Sequence, residues 1–172
     1  IAFAQGAKET NISFVVPAQQ LSKTMNLLHN SFFLNENKVL NIFICGIGTV
    51  GSQLIEQISS QYATLITNQH LQLNIVGIAN SRTYIFNAEG LDITNYREQL
   101  LAAETKNLSD IVNQLATLHN SIFVDCTASE DIANIYQMLL ENNISVVTAN
   151  KIAASDEYKK YELLKKTALE HD

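Results

Sequence analysis

A chain of 172 residues that is 47% hydrophobic is long enough for one domain with a true core plus part of another. Its formal net charge of −6, from 17 acidic and 11 basic residues, excludes a general affinity for nucleic acid, which needs a concentrated basic surface. No apolar stretch reaches the roughly 18 residues of a membrane span and no basic-then-apolar leader opens the chain, so no membrane association and a cytoplasmic address are expected.

In chain order, Ile1–Ala4 and Ile12–Val16 read as two short strands, followed by Pro17 near the start of a helix carrying Leu21, Met25, Leu28 and Phe32. Two strands and one helix bury too little to stand alone, so this segment is expected to be the tail of a larger upstream domain. The polar Asn35-Glu-Asn-Lys38 reads as a junction, dividing the chain into residues 1–35 and 36–172.

Beyond the junction, Val39, Leu40, Ile42, Phe43 and Ile44 form the apolar run of a strand buried on both faces. It leads directly into Gly46-Ile47-Gly48-Thr49-Val50-Gly51, the glycine spacing of a dinucleotide-binding turn. Gly46 permits the tight turn, Gly48 lets backbone N–H groups approach a pyrophosphate, and Gly51 lets the next helix pack closely. The anion would then rest on the first-turn amides of that helix, where unpaired donors and the macrodipole both favour negative charge. Three glycines alone are weak, and a turn with only a packing role is the alternative. The flanks favour the nucleotide, since Val50, Leu54, Ile55 and Ile58 recur at helical spacing after the turn.

Further strand-like runs at Leu71–Ala79, Ile122–Cys126 and Ile144–Thr148 alternate with helical patterns, which specifies an α/β chain with a parallel sheet. One helix is expected around Ser109–Leu118, with Ile111, Val112, Leu115 and Leu118 on one face. A second runs from Glu130 to Glu141 with a stripe of Ile132, Ile135, Tyr136, Leu139 and Leu140, started by a Thr127/Glu130 capping box. The last spans about Ser155–Leu169.

Right-handed crossovers stack these elements into a Rossmann-type doubly wound sheet with ligands at the carboxyl ends of its strands. Those ends are Gly46–Gly51, Asn80–Arg82, Thr127–Ser129 and Ala149–Lys151, all small, polar or basic, though loops are polar for bland reasons too. Asn80-Ser81-Arg82 stands where an NAD-selective site places a carboxylate, and a hydroxyl with a guanidinium favours a 2′-phosphate, hence NADP with NAD possible. A solvated loop arginine is the alternative for Arg82. Asn80 also lies further from the glycines than the usual ~20 residues, which requires a longer helix or an insertion around Gln61–His70. His29, His70, His119 and His171 lack metal-ligand spacing, and Cys45 and Cys126 read as buried thiols, so neither a metal site nor a disulfide is expected.

Four stretches in this order, Gly46-Ile-Gly-Thr-Val-Gly51, Val76-Gly-Ile-Ala-Asn-Ser81, Val124-Asp-Cys-Thr-Ala-Ser129 and Val146-Val-Thr-Ala-Asn-Lys151, resemble the nucleotide-binding domain of homoserine dehydrogenase. The resemblance covers about residues 38–172. The first 33 residues, through Ala4-Gln-Gly6 and Asn11-Ile-Ser-Phe-Val-Val16, are similar to the end of the ACT regulatory region of aspartokinase, a β-β-α remnant. Together they suggest the fused bifunctional enzyme of bacteria and plants.

What the resemblance implies is hydride transfer between NAD(P)H and aspartate 4-semialdehyde to give homoserine, on the branch toward threonine and methionine. It implies cofactor contacts from Gly46 to Gly51, from Cys126 and Asn150, from Thr127, Ala128 and Ser129 beside the nicotinamide ribose, and from Lys151 toward the nicotinamide and substrate side. Lys151 has the alternative of an ordinary surface lysine. The family's acid/base lysine and aspartate belong to a following catalytic domain, so cofactor binding without turnover is expected of these residues, with no catalytic residue among them. The expected partners are a small-molecule cofactor and substrate, with homo-oligomerisation in the full-length enzyme. Two rivals stay open: a dinucleotide-sensing regulatory module, and another NADP-dependent amino-acid or semialdehyde dehydrogenase.

Overall fold

Side-chain alternation on one central strand organises the architecture, because Phe43 and Cys45 point to one face of the sheet and Ile42 and Ile44 to the other. The structure is a computed structural model and describes residues 2–5, 12–21, 24, 25, 28, 37–103, 105 and 107–171. The chain divides into two compact units, Ile1–Asn35 and Glu36–Asp172.

In the first unit, β1 (Ala2–Gln5) pairs antiparallel with β2 (Ile12–Val15), from Ala2 opposite Val15 to Gln5 opposite Ile12. Pro17, at φ −55°, precedes a 3₁₀ turn over Ala18–Gln20. Leu21, Thr24, Met25 and Leu28 are helical, while Phe32 of the expected helix lies outside the described residues.

The second unit contains β3 (Lys38–Cys45), α1 (Thr49–Gln69), β4 (Leu71–Ala79), β5 (Tyr84–Phe86), α2 (Tyr96–Leu101) and α3 (Leu108–Ala116). These are followed by β6 (Ser121–Asp125), α4 (Glu130–Asn134), α5 (Tyr136–Glu141), β7 (Ser145–Thr148), α6 (Ile152–Ser155) and α7 (Tyr158–His171). The strand order is β5-β4-β3-β6-β7, with β4, β3, β6 and β7 parallel. The chain therefore runs outward from β3 to one side and returns to the other, which makes the β3/β6 boundary a topological switch point. The fold is Rossmann-type α/β. One correction concerns the edge: β5 is antiparallel to β4, a hairpin too short for its periodicity to show in sequence.

Both faces are covered. One core joins Phe43, Val76, Phe123 and Ile144 to Ile111, Val112 and Leu115 of α3 and to Ile132, Tyr136 and Leu139 of α4 and α5. The other joins Ile42, Ile44, Ile75 and Ile78 to Ile55 and Ile58 of α1 and to Tyr96 and Leu100 of α2. Phe43 stacks on Phe123 with centroids 5.6 Å apart, over a register shift that sets Phe43 opposite Gly77. A Cβ at Gly77 would lie 2.1 Å from the Phe43 ring, so only glycine leaves room for it.

The long spacing to Asn80 is taken up by α1, whose 21 residues run to Gln69 and end with His70 in the left-handed region at φ 51°. Three local expectations change. Val50, one of the apolar residues recurring at helical spacing in α1, is 54% exposed. The helix expected over Glu130–Glu141 is interrupted at Ile135, whose N–H bonds to the Ile132 carbonyl at 3.3 Å, leaving Ile135 and Leu140 half-buried. The capping box does not form: Ser129 is the N-cap, and the Thr127 hydroxyl accepts the Ser129 N–H at 3.1 Å instead. Two turn residues separate Thr127 from the helix, so its local hydrogen bond wins over the cap. No disulfide joins Cys45 and Cys126, and no described helix is long and apolar enough to cross a membrane.

Candidate functional site

The ladders bring the carboxyl ends of four strands to one level, since Cys45 pairs with both Ala79 and Asp125, and Asp125 with Thr148. Each following turn begins by extending that ladder: the N–H of Gly46 bonds to Ala79 O at 2.8 Å, that of Cys126 to Cys45 O at 2.8 Å, and that of Ala149 to Asp125 O at 2.9 Å. Turns that follow sheet-bonded strand ends are held in place by the sheet, so the residues they carry form a defined rim.

Within that rim the glycine turn is shaped by contacts. Gly46 adopts φ +97°, and a Cβ there would meet the Cys126 backbone at 2.9 Å. At Gly51 a Cβ would stand 1.8 Å from the Gly46 carbonyl oxygen, so α1 starts hard against the turn it leaves. Gly48 differs, for a Cβ there would meet nothing within 4 Å. It is the N-cap of α1 without a side-chain cap, and the first ladder bond is the Ser52 N–H to Gly48 O at 3.0 Å. The amides of Thr49, Val50 and Gly51 thus precede the helical ladder, at the positive end of a 21-residue helix.

Gly46, Ile47, Gly48, Asn80, Ser81, Cys126, Thr127, Ala128 and Ser129 together line a crevice of about 720 Å³. That volume falls within the range of small-molecule and cofactor sites. Across the ridge formed by the glycine turn and Cys126 lies a second hollow of about 550 Å³, walled by Thr49, Val50, Val124, Val147, Thr148 and Ala149. The structure therefore gathers nine of the fifteen sequence-predicted residues in one crevice, and Thr49 and Val50 at the hollow beside it.

The others sit differently. Gly51 is buried beneath the turn. Arg82 and Lys151 are exposed and line neither cavity. Asn80 lines the crevice but commits its side chain to its own turn, accepting the N–H groups of Arg82 and Thr83 at 2.7 and 2.8 Å and donating to Thr83 Oγ1 at 3.0 Å. Asn150 is 5% exposed and turns inward, donating to Asp125 Oδ2 and Ser129 O and accepting the Ile152 N–H. Leu108, Asp131 and Ile132 line the crevice without having been predicted as site residues, lying in the first turns of helices that open at the same rim.

Beneath the rim lies a buried polar cluster. Asp125 is fully buried at the end of β6, where Oδ1 accepts the Thr127 N–H at 2.7 Å and Oδ2 accepts the Tyr136 hydroxyl at 2.5 Å and the Asn150 amide at 3.1 Å. Tyr136 also meets Thr148 Oγ1 at 2.7 Å. Burial, reinforced by the Asp125 hydrogen bond, pushes the Tyr136 hydroxyl well above its ordinary range. Burial, with the neighbouring Asp125 charge, likewise raises the Cys126 thiol and keeps it protonated at neutral pH. The sequence signal for this cluster is a carboxylate closing the run Ser121-Ile-Phe-Val-Asp125, where a charge in a buried strand demands partners.

Residues 46–171 match the family described as homoserine dehydrogenase, NAD binding domain. The bifunctional aspartokinase/homoserine dehydrogenase 1 of Zea mays, a chloroplastic protein, is 36% identical over 177 residues, spanning 99% of this chain and 19% of its own length. The bifunctional aspartokinase/homoserine dehydrogenase of Haemophilus influenzae is 33% identical over 171 residues, spanning 98% of this chain and 21% of its own. Among solved structures, a hyperthermophilic archaeal homoserine dehydrogenase in complex with NADPH superposes with a TM-score of 0.59 at 27% identity, covering 78% of this chain and 42% of that one. The chain spans about a fifth of the length of these two curated relatives.

Proposed function

The chain belongs to the homoserine dehydrogenase family through its NAD-binding domain, and from that premise we propose that the rim at the β3/β6 switch point binds a nicotinamide dinucleotide, NADP in preference to NAD. The observation that carries this reading is the start of α1: an uncapped 21-residue helix, entered through a glycine with open space where its side chain would be. A diphosphate fits there because it takes up the amides of Thr49, Val50 and Gly51 without displacing a cap. The crevice and the hollow meet at this turn, which suits a ligand made of two nucleotides joined by a pyrophosphate.

Within this reading Ile47, Gly48 and Ser81 contact the adenosine half, Cys126, Thr127, Ala128 and Ser129 border the other ribose, and Lys151 stands toward the substrate side. Asn80 and Asn150 serve by holding the turns that present Ser81, Arg82 and Lys151. When bound, the cofactor supplies the hydride; these residues bind it, orient it and exclude water. For the whole protein we propose interconversion of aspartate 4-semialdehyde and homoserine in the cytoplasm, in threonine and methionine biosynthesis, by a homo-oligomer whose first 35 residues here close an ACT-like regulatory domain. For these 172 residues the proposal is cofactor binding without turnover.

The preference for NADP rests on Asn80-Ser81-Arg82, a strand end with a hydroxyl and a guanidinium and no carboxylate. Titration with NADPH and NADH tests both levels. Saturable binding of NADPH is expected, and a folded sample that binds neither nucleotide overturns the site. Arg82→Ala is expected to lower the NADPH-over-NADH affinity ratio by about tenfold, the scale of one charge-assisted hydrogen bond. An unchanged ratio removes Arg82 from 2′-phosphate recognition.

A further inference from the structure

We propose that Asp125 is a positioning residue of this site: through Thr127, Tyr136 and Asn150 its carboxylate sets the separation between the turn after β6 and the turn after β7. The inference rests on the dinucleotide reading above but concerns Asp125 and Tyr136, which touch no ligand in it. Both turns wall the 550 Å³ hollow, the nicotinamide side in this reading, the first through Cys126 and the second through Thr148 and Ala149, while Thr127, Ala128 and Ser129 of the first turn also line the crevice beside Asn80 and Ser81. They come from different strands, and after the ladder pair Asp125–Thr148 and the backbone bond from the Ala149 N–H to Asp125 O at 2.9 Å, their spacing is set by side chains.

Asp125 supplies them from one point. Oδ1 holds the first turn by the Thr127 N–H, and Oδ2 reaches the second through the Asn150 amide. The same amide group donates a second bond to Ser129 O at 3.0 Å, tying the far end of the first turn to the second. Tyr136 closes the cluster by touching both Asp125 Oδ2 and Thr148 Oγ1. Asp125 has no ion pair among the described residues, so three neutral donors satisfy it. A group paired only to neutral donors from three segments holds them by direction as much as by attraction, because each donor must point at it. The glycine turn, Asn80 and Ser81 make no bond to this cluster.

That asymmetry defines the experiment. Asp125→Asn replaces one acceptor oxygen with a donor among three donors, and Tyr136→Phe keeps the ring and removes only the hydroxyl. In the 172-residue chain, both are expected to weaken NADPH about tenfold, the scale of one buried hydrogen bond, and to reduce the fluorescence enhancement of bound NADPH. Adenosine 2′,5′-bisphosphate, which lacks the nicotinamide half, is expected to lose several-fold less affinity than NADPH in each variant, because only the first of the two turns reaches the crevice beside Asn80 and Ser81. Equal weakening of both ligands would show general loosening and overturn the inference, as would unchanged NADPH affinity and fluorescence in both variants. If Asp125→Asn does not fold, Tyr136→Phe alone decides. A folded parent chain that binds neither ligand refutes the dinucleotide reading itself, an outcome separate from the two above.

Discussion

Gly48 and Gly51 lie three residues apart in one turn, and replacing each with alanine is expected to have opposite consequences. At Gly51 an added Cβ stands 1.8 Å from the Gly46 carbonyl oxygen, so reaching even 3.0 Å takes 1.2 Å of movement in backbone on one side or the other. The Gly46 side resists, because its N–H is bonded to Ala79 at the end of β4. A forced shift of this size belongs at the upper end of overpacking costs, about 3 kcal/mol or more. For a chain of this length that lowers the unfolding midpoint by about 6–12 °C, at 2–4 °C per kcal/mol. At Gly48 the added Cβ meets nothing within 4 Å, and φ −69° is open to alanine. The residual cost is that of a poor N-cap, about 1 kcal/mol or less, hence a midpoint within about 4 °C of the parent. The new methyl does stand on the crevice wall, where it separates the diphosphate from the amides behind it. Losing one or two charge-assisted hydrogen bonds weakens NADPH by about tenfold to a hundredfold. Thermal unfolding by circular dichroism and NADPH titration by fluorescence read the two effects separately. Gly48→Ala binding NADPH as the parent does, or Gly51→Ala melting with the parent, would refute the steric reasoning from which the site is built.

Two further outcomes concern stability. Tyr136 ordinarily titrates at 10.0 and is raised in the fold, so above that pH the unfolded chain releases a proton that the native one retains, and stability falls as pH rises. Cys126 adds to the same alkaline decline from its ordinary 9.0. Urea unfolding between pH 8 and 11 is therefore expected to show a shallower loss for Tyr136→Phe than for the parent, and parallel curves would remove Tyr136 from the alkaline transition. Gly77→Ala is expected to cost about 1–3 kcal/mol by pushing the Phe43 ring off Phe123. An unchanged urea midpoint would mean that the Phe43 ring moves aside without cost.

How far the chain could be read without coordinates depended on the range of the interactions involved. The strands, α1 and the glycine turn were legible because each is encoded within a few neighbours: β-branched runs, apolar residues at helical spacing, and glycines where a side chain has no room. So was the crevice as a set of strand ends, since crossover handedness and a reversal in strand order fix where those ends meet. The distance between the glycines and Asn80 called for either a longer helix or an insertion, and the structure decides for the helix.

Tertiary contacts alone decided the rest. That Asn80 and Asn150 spend their side chains on turns, that Val50 faces outward, and that β5 pairs antiparallel at the edge depend on neighbours no local pattern names. The Asp125 cluster shows the reason most plainly: its partners lie 11 residues away at Tyr136 and 25 away at Asn150, and only the folded sheet brings β6, α5 and β7 to one buried point. Periodicity and spacing record what a residue does to its near neighbours in the chain, whereas a buried carboxylate is satisfied by whatever donors the fold carries to it.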